Sequence, residues 1–357
     1  MTDSRVTSLL SAPDSSAPSA PGNSAPPAPG NSALSVPDLA TVSAALRLAS
    51  RAPSVHNTQP WRWVYDGTRL HLYRDTDRQL TTTDPRGRQQ VISCGAMLHH
   101  VRTALAAEGW HTDTVRLPDP IHPDLLATIT FRRWPDPPDG VTERAGVIER
   151  RRTDRLPLRA PEGLSDLLHA ARMLVHPHDL ELDVLDESAR PRVAAASDQA
   201  AALRRYDMEY QTELHWWSGH SSTPEGVPAD ALASAAESAR VDVGRSFPPG
   251  SPSARRGDLD DHARLLVLST AADSTAAWLH TGEALSVLLL ECTAGGFATC
   301  ALTHITELPS GRTTLAGLLP KSSVPQVVVR VGTAPDGGDA IAPTPRRPLA
   351  EFLTVRR

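Results

Sequence analysis

The 357-residue sequence predicts an α+β fold in which one helix-and-strand unit occurs twice along a single chain. Three observations carry this expectation. Residues 62–74 alternate apolar and polar positions around Asp66-Gly67, a strong signal for a β-hairpin. Residues 93–109 place Met97, Leu98, Val101 and Leu105 on one helical face and lead to an alternating strand over 125–132. Finally, Gly95, Leu98, Val101, Ala107, Gly109 and Trp110 recur at the same spacing as Gly282, Leu285, Leu288, Ala294, Gly296 and Phe297. A second closing strand is expected at 325–331, and a repeated helix with its exit points to internal duplication. Glycine is a common stop just past a helix, so Gly109 and Gly296 are the least specific part of the match.

The elements follow in order. Ser, Ala, Pro, Gly and Asn dominate residues 1–36, which carry too little apolar surface to offset the entropy of ordering, so a disordered arm is expected. Val42, Ala45, Leu46 and Ala49 fall at helical spacing and predict a first helix over 39–50. Residues 37–147 form the first half and 148–357 the second. The stretch at about 204–262 matches nothing earlier and is expected to be an insertion or lid. Within it, Trp216 and Trp217 suit either a substrate-facing wall or an anchor for the insertion.

Composition narrows the function classes. The formal net charge of −5 and sequence pI near 6.3 give no broad attraction to nucleic acid. Three cysteines (Cys94, Cys292, Cys300) show no metal-ligand spacing and suit reduced thiols in a cytoplasmic protein. The N-terminal VTSLL is too short for a signal peptide. Residues 284–302 are the most membrane-like run, but Glu291 and Gly295-Gly296 interrupt it. A buried helix followed by a strand fits better than a membrane span. The fourteen histidines show no HExxH or Cys/His spacing, and neither a GxSxG elbow nor a Walker loop is present.

The most informative segment runs from Ala52 to Trp61, APSVHNTQPW. Two prolines fix a short loop in which Ser54, Asn57 and Gln59 offer hydroxyl and amide groups that both donate and accept. A flavin's pyrimidine edge alternates acceptors with a donor and suits such groups. A turn that only satisfies its own backbone explains the same composition equally well. A second segment, residues 148–155, places Thr153 among Arg150, Arg151, Arg152 and Arg155 at a predicted helix end. Bare basic runs are usually solvated surface. Guanidinium groups with a short hydroxyl donor among them match a phosphate dianion.

The first segment resembles the A-P-S-x-x-N-x-Q-P-W motif of the flavin nitroreductase superfamily. The chain after residue 40 is similar to its Acg-like branch, in which two nitroreductase-like halves are fused. Residues 281–312, 324–335 and 343–349 share that likeness. The resemblance implies a nitroreductase fold arranged as an intramolecular pseudo-dimer, with a long helix from each half at the centre. It implies FMN as cofactor, bound by Ser54, Asn57 and Gln59 on the ring side. Residues 151–155 resemble the R-x-S-x-R/K phosphate element, with threonine in place of the usual serine, so that Arg151 and Thr153 would bind phosphate with Arg152 nearby. Arg155 would reach the flavin N1/C2 carbonyl. By the same likeness, Thr303 and His304 would lie beside flavin N5, and Arg346 and Arg347 would reach the phosphate.

The first half has the loop but no arginine element upstream of it. The second half has the arginines but no P-S-x-x-N loop. One composite site therefore survives, and one FMN per chain is expected. The implied activity is hydride transfer from NAD(P)H or an organic donor to a small organic acceptor, without a catalytic side chain. The alternatives are an FMN-sequestering protein with little turnover and a scaffold that has lost flavin. The expected partner is a small-molecule substrate, with neither nucleic acid nor membrane, and a homo-oligomer of the fused chain is compatible with the sequence.

Overall fold

The computed structural model describes residues 36–219, 224–250, 253–335 and 341–356. The arm expected over 1–36 lies outside the described residues except for its last position. Helix α1 (Leu39–Ala49) is capped by Asp38, whose carboxylate accepts from the Thr41 amide at 2.7 Å. It buries Val42, Ala45, Leu46 and Ala49, the positions whose spacing predicted it. Strands β1 (Trp61–Tyr65) and β2 (Leu70–Arg74) form the expected hairpin, with Gly67 at φ +89° in its turn. There follow α2 (Arg88–Ala107), β3 (Trp110–Arg116), β4 (Leu125–Arg133) and α3 (Asp139–Val147). Helix α2 starts a turn earlier than its apolar periodicity predicts because its first turn is polar yet buried. Arg88 there donates to the Gln326 carbonyl at 2.8 Å and to Thr306 Oγ1 at 2.9 Å.

The later part of the chain repeats the plan with additions. Helix α4 (Leu164–Val175) leads to β5 (Leu180–Val184), followed by α5 (Arg190–Arg204), α6 (Met208–Trp216) and α7 (Ala235–Ser238). Then come β6 (Arg264–Thr270), α8 (Thr275–Ala294), β7 (Ala298–Leu302), α9 (Pro309–Ala316), β8 (Val324–Gly332) and β9 (Leu353–Val355). The sheets have the orders β3-β4-β2-β1-β9 and β5-β6-β8-β7. Apart from β9 they share one antiparallel order, with β5 to β8 standing where β1 to β4 stand and the fourth strand of each set lying between the second and the third.

Two features go beyond the sequence division. Strand β9 pairs in parallel with β1, so the end of the chain completes the first sheet although 148–357 was assigned to the second half. The interruption of the second unit also begins before residue 204: α5 already lies between β5 and β6, where β1 and β2 are joined by a tight turn.

Helices α2 and α8 form the centre and are buried on nearly all faces, as expected for interior helices. Their duplicated positions meet across the packing: Gly95 lies against Gly282, and His99 Nδ1 is 2.7 Å from Ser286 Oγ. The run 284–302 is the end of α8 followed by β7, as its interruptions suggest. Among the described residues, no helix is long and apolar enough to cross a membrane.

Candidate functional site

The loop between α1 and β1 holds an unusual backbone: His56, Asn57 and Gln59 all have positive φ, at 47°, 55° and 49°. Such conformations cost of order 1–3 kcal/mol each and persist where surroundings over-determine them. Here Ser54 Oγ accepts from the Gln59 amide at 3.0 Å, and the Val55 amide donates to Ser93 Oγ at 3.1 Å. Asn57 Nδ2 donates to the carbonyls of Gly226 (2.9 Å) and Pro345 (3.3 Å). Gln59 Nε2 donates to the Pro224 carbonyl at 2.9 Å, while its Oε1 accepts from the Arg347 amide at 2.9 Å. The two amides thus tie the loop to the inserted segment and the C-terminal tail. Of the three expected ring-side groups, Ser54 lines the cavity that this loop borders.

That cavity has a volume of about 250 Å³ and draws its walls from both halves: Ser54 and Ser93 on one side, Thr153, Arg155 and Thr303 on the other. Thr153 is placed by a parallel bridge to Thr299, reinforced by the Asp154 amide donating to the Thr299 carbonyl at 2.8 Å. Arg155 donates to the Ala231 carbonyl at 3.2 Å and lies 5.2 Å from the centre of the Phe247 ring. Burial lowers its pKa from the usual guanidinium range.

The inserted segment also lines this cavity, through Arg245 and Phe247. Arg245 is ion-paired with Glu307 and donates to Tyr210 Oη at 2.8 Å. Burial opposes its charge, but Glu307 and Tyr210 outweigh burial and raise its pKa. His56 packs edge-on to Phe247 at 5.5 Å, and neither of its ring nitrogens has a hydrogen-bond partner among the described residues. Burial, then Arg245 and Arg155, hold its pKa well below the ordinary value, so the ring is neutral.

Beside the loop, Arg51, Arg151, Arg152 and Arg346 gather without an ion pair to any carboxylate among the described residues. The buried Arg151 donates to the Arg51 carbonyl at 3.3 Å and leaves its Nε unpartnered. Arg346 donates to the carbonyls of Ser50 (2.7 Å), Thr344 (3.0 Å), Pro345 (3.0 Å) and Arg51 (3.2 Å). Arg152 donates to the Arg151 carbonyl at 2.9 Å, and Arg51 to that of Thr344 at 3.1 Å. Burial, with Arg152 and Arg51 beside it, lowers the Arg151 pKa to about 10. Burial and then Arg151, Arg51 and Arg152 push Arg346 well below its ordinary range. Four mutually repelling guanidiniums held only by carbonyls form a site that favours a multiply charged oxyanion.

The other expected residues fall elsewhere. Arg347 is committed to acids and backbone: it lies 3.3 Å from Glu351 and 3.7 Å from Asp75, and donates to the Gln59 carbonyl at 3.0 Å. It clamps the tail onto the loop, apart from the four arginines. His304 is buried toward α5, with Nε2 2.8 Å from Ser197 Oγ, and burial and Arg245 lower its pKa to about 3. Thr303 alone of that pair lines the cavity, where its hydroxyl donates to Gln89 Oε1.

Trp216 is 71% exposed and Trp217 sits 5.4 Å beneath the Arg78 guanidinium, both on a separate open groove beside Thr82 and Glu213. The insertion covers the cavity, but with the stretch around Phe247 in place of the tryptophans. Sequence reasoning passed over Arg51, Ser93, His56, Arg245 and Phe247. Arg51 and His56 flank or sit inside the quoted loop, so proximity to it was an available signal. Phe247 gave a weaker one, as the lone aromatic in a Pro- and Ser-rich stretch.

The chain is thus a fused pair of α+β units in which the Ser54 loop borders a cavity lined from both halves and a cationic cluster lies on the loop's α1 side. No family model matches it. A Mycobacterium tuberculosis protein with the provisional name NAD(P)H nitroreductase Acg is 44% identical over 320 residues, 88% of this chain and 96% of its own. An uncharacterized protein of the same organism is 45% identical over 318 residues, 88% of this chain and 92% of its own. The chain belongs to the Acg branch of the nitroreductase family and has the nitroreductase fold of that branch. A crystal structure of the FMN-dependent nitroreductase NfnB from Mycobacterium smegmatis in complex with NADPH aligns at TM-score 0.38 and 17% identity. That alignment covers 61% of this chain and 100% of the other, a likeness too small to carry weight.

Proposed function

We propose that this protein is an FMN-dependent oxidoreductase of the nitroreductase type, with one flavin site built from both halves of the chain. The observation that carries this reading is the conjunction of a two-sided cavity with four arginines that form no ion pair among the described residues, Glu149 being the one carboxylate whose charge acts on the group, through Arg152. In it, Arg51, Arg151, Arg152 and Arg346 would hold the phosphate, with Thr153 as a hydroxyl donor. Ser54, Ser93 and Thr303 would meet the ring. Arg155 would face the edge where reduction places negative charge. The unpartnered Nε of Arg151 and the two unpartnered ring nitrogens of His56 are buried polar atoms that a polar cofactor would satisfy. When bound, FMN supplies hydride transfer between a reduced nicotinamide or organic donor and a small organic acceptor.

The chain's own contribution is binding, orientation and exclusion of water. The neutral His56 and Phe247 pack against each other in the cavity wall, while Arg245 is paired with Glu307 and adds no mobile charge. The name of the Acg relative points to redox turnover and not to storage, which favours the enzyme over the sequestering alternative. The test is an absorbance spectrum of the purified protein followed by anaerobic NADPH. A flavin band near roughly 450 nm that bleaches within the mixing time supports turnover. A flavin band that NADPH leaves unchanged supports sequestration, and a colourless protein that ignores added FMN removes the reading.

A further inference from the structure

A second cavity lies at the position related to the first by the internal duplication. The first cavity takes Pro53 and Ser54 from the loop between α1 and β1. The second takes Pro177 and His178 from the loop between the equivalent α4 and β5. Ser93 precedes Gly95 by two positions on α2, and His280 precedes Gly282 by two on α8; each lines its own cavity. Thr303 and Arg116, each seven positions beyond Gly296 and Gly109, correspond in the same way. Three small hydroxyl groups of the first site are therefore an arginine and two histidines in the second.

The second cavity keeps a volume of about 460 Å³ and opens to solvent. Trp134, Leu174 and Val287 give it an apolar wall, and the His111 ring lies edge-on to Trp134 at 5.2 Å. Its polar side is organised by Glu283, which is fully buried in the position equivalent to Ala96. Glu283 contacts Arg116 at 2.7 Å, His178 at 3.1 Å and Arg102 at 3.7 Å. Arg144 is balanced separately by Glu291 at 2.7 Å. The two guanidiniums of Arg102 and Arg116 share the Glu283 carboxylate, and Asp113, which also acts on Arg102, is paired with Arg132 at 3.1 Å beside His111 (3.5 Å), so a positive excess remains on the Arg102–Arg116 side of the cavity. His280 makes no hydrogen bond among the described residues and is the donor still available at the rim. Side chains larger than serine and a fixed carboxylate make the site unsuited to a second flavin. Among the described residues, no group of His, Cys, Asp or Glu has the arrangement of a metal site.

We propose that this cavity binds a small planar aromatic carboxylate. Its ring would lie against Trp134 and Val287, and its carboxylate would accept from His280 and from the outer faces of Arg102 and Arg116. Aromatic surface, a charge surplus and an unused donor converge here and match that ligand class better than a neutral or cationic one.

Benzoate is the probe, titrated into the full chain by calorimetry with and without saturating FMN. The expected result is one saturable site whose affinity FMN leaves unchanged. Benzyl alcohol, with the same ring and no charge, should bind about tenfold or more weakly. His280→Leu should weaken benzoate about tenfold while the flavin content of the protein stays the same, and Trp134→Ala provides an independent second variant at the apolar wall. No saturable binding up to about 10 mM, equal affinity for the alcohol, competition with FMN, or indifference to both substitutions would each overturn the proposal.

Discussion

Gly95 and Gly282 occupy the same position in the two central helices and meet where those helices cross. A Cβ placed on Gly282 would lie 2.7 Å from the Gly95 Cα and 2.7 Å from the Ala96 amide nitrogen. A Cβ on Gly95 would drive into the Leu279 carbonyl. The duplication therefore has a physical axis, and close approach along it excludes every side chain larger than hydrogen. The obstructing atoms are backbone, which cannot rotate away.

Gly95→Ala should lower the free energy of unfolding. Overpacking of about 1–3 kcal/mol outweighs the roughly 1 kcal/mol that alanine gains in helix propensity. Gly146→Ala on α3 is the control, because a Cβ there meets nothing within 4 Å. That substitution should be neutral or stabilising by up to about 1 kcal/mol. Urea denaturation of both variants checks the pair, and a Gly95→Ala protein as stable as the parent would refute the tight crossing.

The arginine cluster predicts a phosphate-specific loss. Charge-assisted hydrogen bonds contribute roughly 1.5–3 kcal/mol, so Arg151→Ala should weaken FMN about tenfold or more and leave riboflavin nearly unchanged. Flavin fluorescence titration measures both ligands. Equal losses for the two would mean that the substitution damaged the fold.

Asn57 separates a ring contact from a structural tie. Because Nδ2 holds the Gly226 and Pro345 carbonyls, Asn57→Leu should destabilise the flavin-free protein as well as weakening FMN and riboflavin alike. Each buried carbonyl left without a partner costs of order 1–3 kcal/mol. Thermal unfolding without flavin is the discriminating measurement. Unchanged flavin-free stability together with weaker flavin binding would return Asn57 to the ring-contact role.

Two buried histidines predict acid lability with a definite sign. His100 and His304 are each held at about 3, chiefly by burial, against an ordinary value of 6.5. Their folded-state pKa lies below the unfolded one, so the unfolded chain binds more protons between those values. Their stabilisation is complete above about pH 6.5 and is lost as pH falls toward 3. Each contributes a slope of roughly 1.4 kcal/mol per pH unit within that window. His304→Gln should remove one such slope from the stability–pH curve between pH 4 and 6. A curve parallel to the parent's would show that His304 is not held neutral.

The fold was legible where local pattern and tertiary role agree. The Asp66-Gly67 hairpin and the glycine-spaced helices carry their structure in their own periodicity. Strand β9 was not legible, because three residues show no alternation and its partner β1 lies almost three hundred positions away. The residue types of the candidate site stood out as a loop of hydroxyls and amides and as a run of arginines. Sequence does not say which arginine finds an acid. Arg346 and Arg347 are neighbours, yet Arg347 turns to Glu351 and Asp75 while Arg346 joins Arg151. In the insertion, bulk was a poor guide. Trp216 and Trp217 are conspicuous but line an outer groove, whereas the single Phe247 reaches the cavity through the path of a loop with no periodicity.

The central claim is one composite flavin site per chain, and the most direct measurement is the flavin released on denaturing FMN-saturated protein, normalised to chain concentration. About one FMN per chain is expected, because only one of the two duplicated cavities lies beside both the Ser54 loop and the arginine cluster. A value near two would show that the cavity beside Glu283 also takes flavin. A value near zero would show that the arginine cluster serves some other anion, and either result would contradict the account.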